Sequence, residues 1–297
     1  MTNAKRRIWL ARTSWHAAVL AGLLFAAYIF VVAAPMKQSM GFDVVSYWRL
    51  DLADPYHGTV GDLGFFPYSP AVALLFAPFA ALPWQAFATL WYGVLLGALA
   101  FLGRRSILVL LAFPPVAIDL YHGNIHLLLA AAIVVGFRYP AAWSFVLLAK
   151  VTPGIGLLWF LFRREWRSLG IALGATALIA AVTAVALPAQ WAEWLTILVT
   201  GASTAPPAPA LPIPIWLRLP VAAVILYWGA KRDARWVVPV AAALSVPALW
   251  PGAFAILAAC WPLRGKADAS AAASQQDPDY HAADARQSRG EREPVTA

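Results

Sequence analysis

The chain has 297 residues, of which 62% are hydrophobic and only 12% charged, with mean hydropathy +0.69 and net charge +8. Soluble domains carry about 25% charged residues, so this composition excludes an ordinary soluble enzyme. It points instead to an all-α fold, a polytopic transmembrane helical bundle of about 8–10 membrane segments, some of them short or re-entrant.

The basic residues sit beside apolar runs and form no single basic face, so no nucleic-acid partner is expected despite the positive charge. The single Cys260 excludes an internal disulfide framework, and no Cys/His spacing suggests a metal.

Lys5, Arg6, Arg7 and Arg12 precede the first apolar run, roughly 14–35, and place the N-terminus (1–13) in the cytoplasm. The loop 36–67 is then expected outside. Further apolar segments are expected at 69–83, 84–103, 106–120, 124–137, 139–162, 168–188, 213–230, 234–249 and 250–263. The Pro/Ala-rich stretch 201–214 reads as a loop, and the polar tail 265–297 as disordered and cytoplasmic. The unit between, 14–264, is the transmembrane domain.

Three basic clusters compete for the cytoplasmic side: Arg104–Arg105, Arg163–Arg167 and Lys231–Arg235. They agree only if 69–83 is re-entrant. That choice puts Tyr121–His126 outside. It also makes 139–162 a hairpin with its apex at Lys150–Pro153.

Chemistry is sought among polar groups in apolar surroundings, because ionisable groups inside a bilayer are costly. Of 14 Asp and Glu, six lie after Arg264, and four of the remaining eight crowd into the outer loop: Asp43, Asp51, Asp54 and Asp62. Asp43, in GFDVVSYW just past the first span, is the candidate general base. Its competing reading is a helix cap or a solvated loop acid. Asp51 and Asp54 read as turn or cap residues. Asp119, His122, Asn124, His126 and Lys150 are the remaining polar groups in apolar stretches. In YHGNIH (121–126), Gly123 permits a turn between two half-helices, and His122, Asn124 and His126 offer donors to a phosphate or sugar. The i,i+4 pair of His has no third ligand, so zinc is not expected. Asp119 is expected to pair with His122 or with Lys150. Lys150, in KVTP, is expected to bind an anionic lipid phosphate, with Thr152 and a helix starting at Pro153 adding donors.

Four stretches in order, GFDVVSYW, PYSPAVALLFAPFAALP (67–83), FPPVAIDLYHGNIHLLL (113–129) and LLAKVTPGIGLL (147–158) followed by RREW, resemble glycosyltransferase family 87 over about 1–170. That family comprises polyprenol-phosphate-mannose-dependent mannosyltransferases of the C-superfamily of membrane glycosyltransferases. The resemblance implies a polyprenyl-phosphate sugar donor, a glycan or glycolipid acceptor, no nucleotide sugar and usually no metal or other cofactor. It implies that Asp43 acts as base and that Lys150, His122, Asn124 and His126 meet the donor phosphate. Tyr47, Arg49 and Tyr68 are expected to line the substrate site. A bacterial-type plasma membrane follows, with the site facing the periplasm or exterior. Two other readings compete: a lipid-linked glycan ligase or polymerase, and a non-catalytic transporter or scaffold. A late outer loop rich in Arg and His would mark the first, and inverted repeats the second; neither is seen.

Overall fold

The computed structural model describes residues 3–59, 61–201 and 210–264. Among them every regular element is helical. Residues Ala17–Leu263 form one compact unit, and the tail expected to be disordered lies outside the described residues.

Three helical stretches are long and apolar enough to cross a membrane: Ala11–Lys37, Trp84–Leu111 and Trp166–Ala186. A fourth crossing is made if Pro114–His122 and His126–Gly136, bent by 116°, count as one broken span. Shorter apolar helices, Pro70–Ala80, Pro140–Ala149, Thr152–Phe162 and Pro251–Leu263, supply the short segments expected from sequence. Large apolar side chains point outward on the long helices, with Leu178, Val182 and Val185 all well exposed. In water each such residue forfeits about 1.5–3 kcal/mol of burial; in a bilayer the acyl chains cover it.

Pro70, Pro114, Pro188 and Pro251 each open a helix, where the missing N–H costs nothing. Three elements differ from the sequence expectation. Residues 104–106 form a tight turn inside the continuous stretch Trp84–Leu111, and the break falls at Ala112–Phe113 instead, before Pro114. The outer loop contains a seven-residue helix, Phe42–Trp48. Pro188–Gly201, with no assignment from sequence, is helical. Its Trp194 indole donates to the Pro67 carbonyl and its Gln190 amide to that of Leu52, so it lies against the loop.

The basic clusters share one end of the bundle. Arg163 pairs with Asp233 (2.9 Å) and donates to the Ala230 carbonyl. Arg235 lies over the Phe137 ring, and the Cys260 thiol donates to the Trp236 carbonyl. Arg104 and Arg105 line a cavity with Trp261 and Pro262, the neighbours of Cys260. Both ends of 139–162 therefore lie at this end. The chain breaks at Lys150, which is extended, and Lys150 reaches His126, so the hairpin apex expected from sequence is present.

Depth follows from helix rise. Trp91 donates to the Gly123 carbonyl (2.7 Å), and twelve residues of helix, about 18 Å, separate Trp91 from Gly103 at the basic end. Tyr121–His126 therefore lies inside the bundle, about 18 Å from the basic end. Pro70–Ala80 has only 11 residues, against about 20 for a full crossing, as the re-entrant expectation requires.

Candidate active site

The site is built where helices break. Pro114–His122 ends at Gly123, whose φ of 72° places it in the left-handed region. A Cβ there would collide with Val44, so Gly123 serves both the turn and the close approach of the outer-loop helix. That helix starts at Gly41, whose N–H donates to the Tyr121 carbonyl (2.9 Å). Two backbone breaks thus dock on each other. In lipid their unpaired groups would be costly, so they face the protein interior.

Asp43 lies in the first turn of the Phe42–Trp48 helix but caps nothing there. Its Oδ2 accepts from the Asn124 amide nitrogen (2.8 Å). Asn124 Oδ1 accepts from the Ile125 N–H (2.8 Å), which fixes the amide so that its donor side points at Asp43. Asp43 is partly exposed yet largely surrounded by protein. Burial raises its pKa above the usual carboxylate value. The Asn124 hydrogen bond and the charges of His122 and Lys150 pull it back down.

The second chain of contacts runs through His126. Its Nδ1–H donates to Asp119 Oδ1 (2.8 Å), and the Leu127 N–H donates to Asp119 Oδ2 (3.3 Å). Lys150 Nζ then donates to His126 Nε2 (2.7 Å). Asp119 and His126 are buried, while Lys150 is partly exposed. Asp119 therefore pairs with His126, where sequence had offered His122 or Lys150 as its partner. His122 instead donates to the Ile118 carbonyl of its own helix (3.0 Å), its ring edge-on to Tyr121. The two histidines lie on different helices, so their i,i+4 spacing gives no common face.

Tyr47 and Tyr68 lie behind Asp43. Tyr47 is fully buried, stacked on Phe76 and packed against Trp91, with its hydroxyl 3.0 Å from that of Tyr68. Both belong to a buried aromatic cluster with Phe66, Phe76 and Trp91. Arg49 is exposed, its guanidinium 6.0 Å from the Trp48 ring, and no hydrogen bond or ion pair joins it to Asp43 among the described residues. Asp51 and Asp62 shape turns in the loop. Asp51 accepts from the Ala53 N–H, and Asp62 accepts from the N–H and hydroxyl of Thr59, which lowers its pKa. Ser69 and Thr152, close in sequence to Tyr68 and Lys150, have buried hydroxyls with no protein partner.

Sequence reasoning passed over Trp91 and Tyr92, which brace the Tyr121–Gly123 backbone. No pattern separates them from the other aromatics. Asp119 did carry a signal, as a lone acid in an apolar stretch.

A bundle of broken apolar helices around a buried carboxylate, amide and ammonium defines a polytopic membrane protein with a polar interior site. Residues 65–275, more than half of the chain, match the family model of glycosyltransferase family 87, and the chain belongs to that family. It is a membrane glycosyltransferase. No curated protein and no solved structure matches it. The match takes in Tyr68, His122, Asn124, His126 and Lys150 and extends beyond the 1–170 resemblance toward the C-terminus. It begins after Asp43, so Asp43 rests on its geometry.

Proposed function

We propose that this glycosyltransferase moves a hexose, mannose, from a polyprenyl-phosphate donor to a glycan or glycolipid acceptor. The transfer takes place on the outer face of a bacterial-type plasma membrane. The observation that carries this reading is the Asp43–Asn124 hydrogen bond. It brings a carboxylate from the outer loop to the broken span that also holds His122 and His126, with Lys150 beside them. A carboxylate and the Lys150 ammonium thus flank the same broken span.

The acceptor hydroxyl oxygen attacks the anomeric carbon, and Asp43 takes its proton. The bond from that carbon to the phosphate oxygen breaks, and the phosphate leaves with the electron pair. Its charge develops beside Lys150 and His122, with Asn124 holding Asp43 in line; fixed donors of this kind stabilise charge as it develops. Direct displacement inverts the anomeric centre, so a β-linked donor gives an α-linked product. The buried Ser69 and Thr152 hydroxyls are further donors for the phosphate. Tyr47 and Tyr68 keep the wall rigid, and Arg49 meets the acceptor at the exposed rim. In this reading 1–13 and 265–297 lie in the cytoplasm, on the side of the basic clusters, and 36–67 lies outside.

The test is transfer from polyprenyl-phosphate-mannose to a panel of lipid-linked and free glycans by purified protein, with Asp43→Asn alongside. Transfer by the wild type and a loss of at least about a hundredfold in the variant is expected. Equal transfer by both proteins would remove Asp43 from its role.

A further inference from the structure

The proposed function uses Lys150 but leaves two buried groups behind it unexplained. Asp119 is 1% exposed and, among the described residues, bonds to no Lys or Arg. It is instead hydrogen-bonded to His126, which is 4% exposed. A carboxylate buried in an apolar bundle costs stability unless it does something in return. Resting on the reading of Lys150 as the group that meets the donor phosphate, we propose that Asp119 and His126 are positioning residues that set the direction of the Lys150 ammonium.

The geometry gives the reason. Asp119 is ligated from one side by the Leu127 N–H, so its other oxygen is fixed toward His126 Nδ1. A carboxylate there selects the tautomer with the proton on Nδ1. The lone pair on Nε2 is then obliged to face Lys150, and it accepts one of the three ammonium protons. Two donors remain for a ligand. The contact is needed because the backbone gives no other restraint. Lys150 follows the Trp143–Ala149 helix in extended conformation, at a break, and its flexible four-carbon stem otherwise samples many rotamers. Asp119 bonds to His126 and to the Leu127 N–H, and it reaches Lys150 through His126. The other tautomer would place an N–H against the ammonium and push Lys150 away.

The prediction is that phosphate binding fails in a chained manner. The probe is polyprenyl monophosphate, the leaving group, which is the same whichever sugar is carried. Its affinity is measured on purified full-length protein by native mass spectrometry. Wild type, Lys150→Ala, His126→Phe, Asp119→Asn and the double variant Lys150→Ala/His126→Phe are compared. His126→Phe keeps the ring and removes both nitrogens, so it guards against a folding failure in Asp119→Asn. The expected result is a loss of about tenfold or more for Lys150→Ala and for His126→Phe. A smaller loss is expected for Asp119→Asn. The double variant should be no weaker than Lys150→Ala alone, because residues acting as one unit are not additive. A purely structural role would make the losses multiply. Wild-type affinity in both His126→Phe and Asp119→Asn, with Lys150→Ala weakened, would overturn the relay and leave the phosphate reading standing. Wild-type affinity in Lys150→Ala would overturn the phosphate reading and the relay with it.

Discussion

Asp43 shows how much one side chain's surroundings decide. Burial is the largest influence on its pKa and raises it above 3.8, so a base in this position loses its charge at a higher pH than an exposed carboxylate does. The acid limb of the transfer rate should therefore have its midpoint above 3.8. Asn124→Leu removes the hydrogen bond that pulls the pKa down, and the limb should move to still higher pH, which a pH–rate profile of the two proteins reads. The same shift has a stability sign. The fold binds the proton more tightly than the unfolded chain does. That contribution is present at low pH and is lost as pH rises through the folded pKa, so ionised Asp43 costs stability at neutral pH. Asp43→Asn is accordingly expected to have a Tm at pH 7 equal to or above that of the wild type, measured in the same detergent, while losing transfer. A lower Tm would mean that the carboxylate serves the fold as well as the site.

At the scale of elements, the site depends on interruptions. Gly123→Ala forces a side chain into a left-handed turn already filled by Val44, at a cost of about 2 kcal/mol or more. A lowered Tm and lost transfer are expected together, because the turn and the Asn124–Asp43 contact move as one piece. A Tm like the wild type's would show that the outer-loop helix can back away. Arg218 is a second interruption, and a structural one. Its guanidinium donates to the carbonyls of Ile213, Leu244, Val246 and Pro247, closing the C-terminus of the Val237–Ser245 helix. Arg218→Met strands these carbonyls, and a loss of about 3 kcal/mol is expected, visible as a lower Tm.

Over the whole molecule, the gathering of Arg104–Arg105, Arg163–Arg167 and Lys231–Arg235 at one end is a topology statement. In a Cys260→Ser background, Arg104→Cys, Arg164→Cys and Arg232→Cys should all be labelled by an impermeant thiol reagent from one side of a vesicle, and Asp54→Cys from the other. Labelling of Arg104→Cys from the Asp54 side would break the arrangement. The sequence alone left this open, because hydropathy ranks segments by apolarity and cannot tell a re-entrant helix from a crossing one. The 11 residues of Pro70–Ala80 and the pairing of Arg163 with Asp233 favour the re-entrant reading, and the labelling tests it.

The sequence by itself determined that the chain is an all-α membrane protein, because apolar runs with few charges leave a backbone in lipid only the helix to satisfy its hydrogen bonds. It also singled out Asp43, Asp119, His122, Asn124, His126 and Lys150, since polar groups stand out where each one is costly. The turn at Gly123 was legible for the same local reason. Which of these groups touch was decided by the tertiary structure alone. Asp43 and Asn124 are 81 residues apart and meet because Val44 fits against a glycine. Asp119 chose His126 over His122 because a break three residues long turned one ring inward and left the other bonded to its own helix. Such choices depend on the angle between two half-helices. That angle is set by packing across the bundle, and no pattern along the chain encodes it.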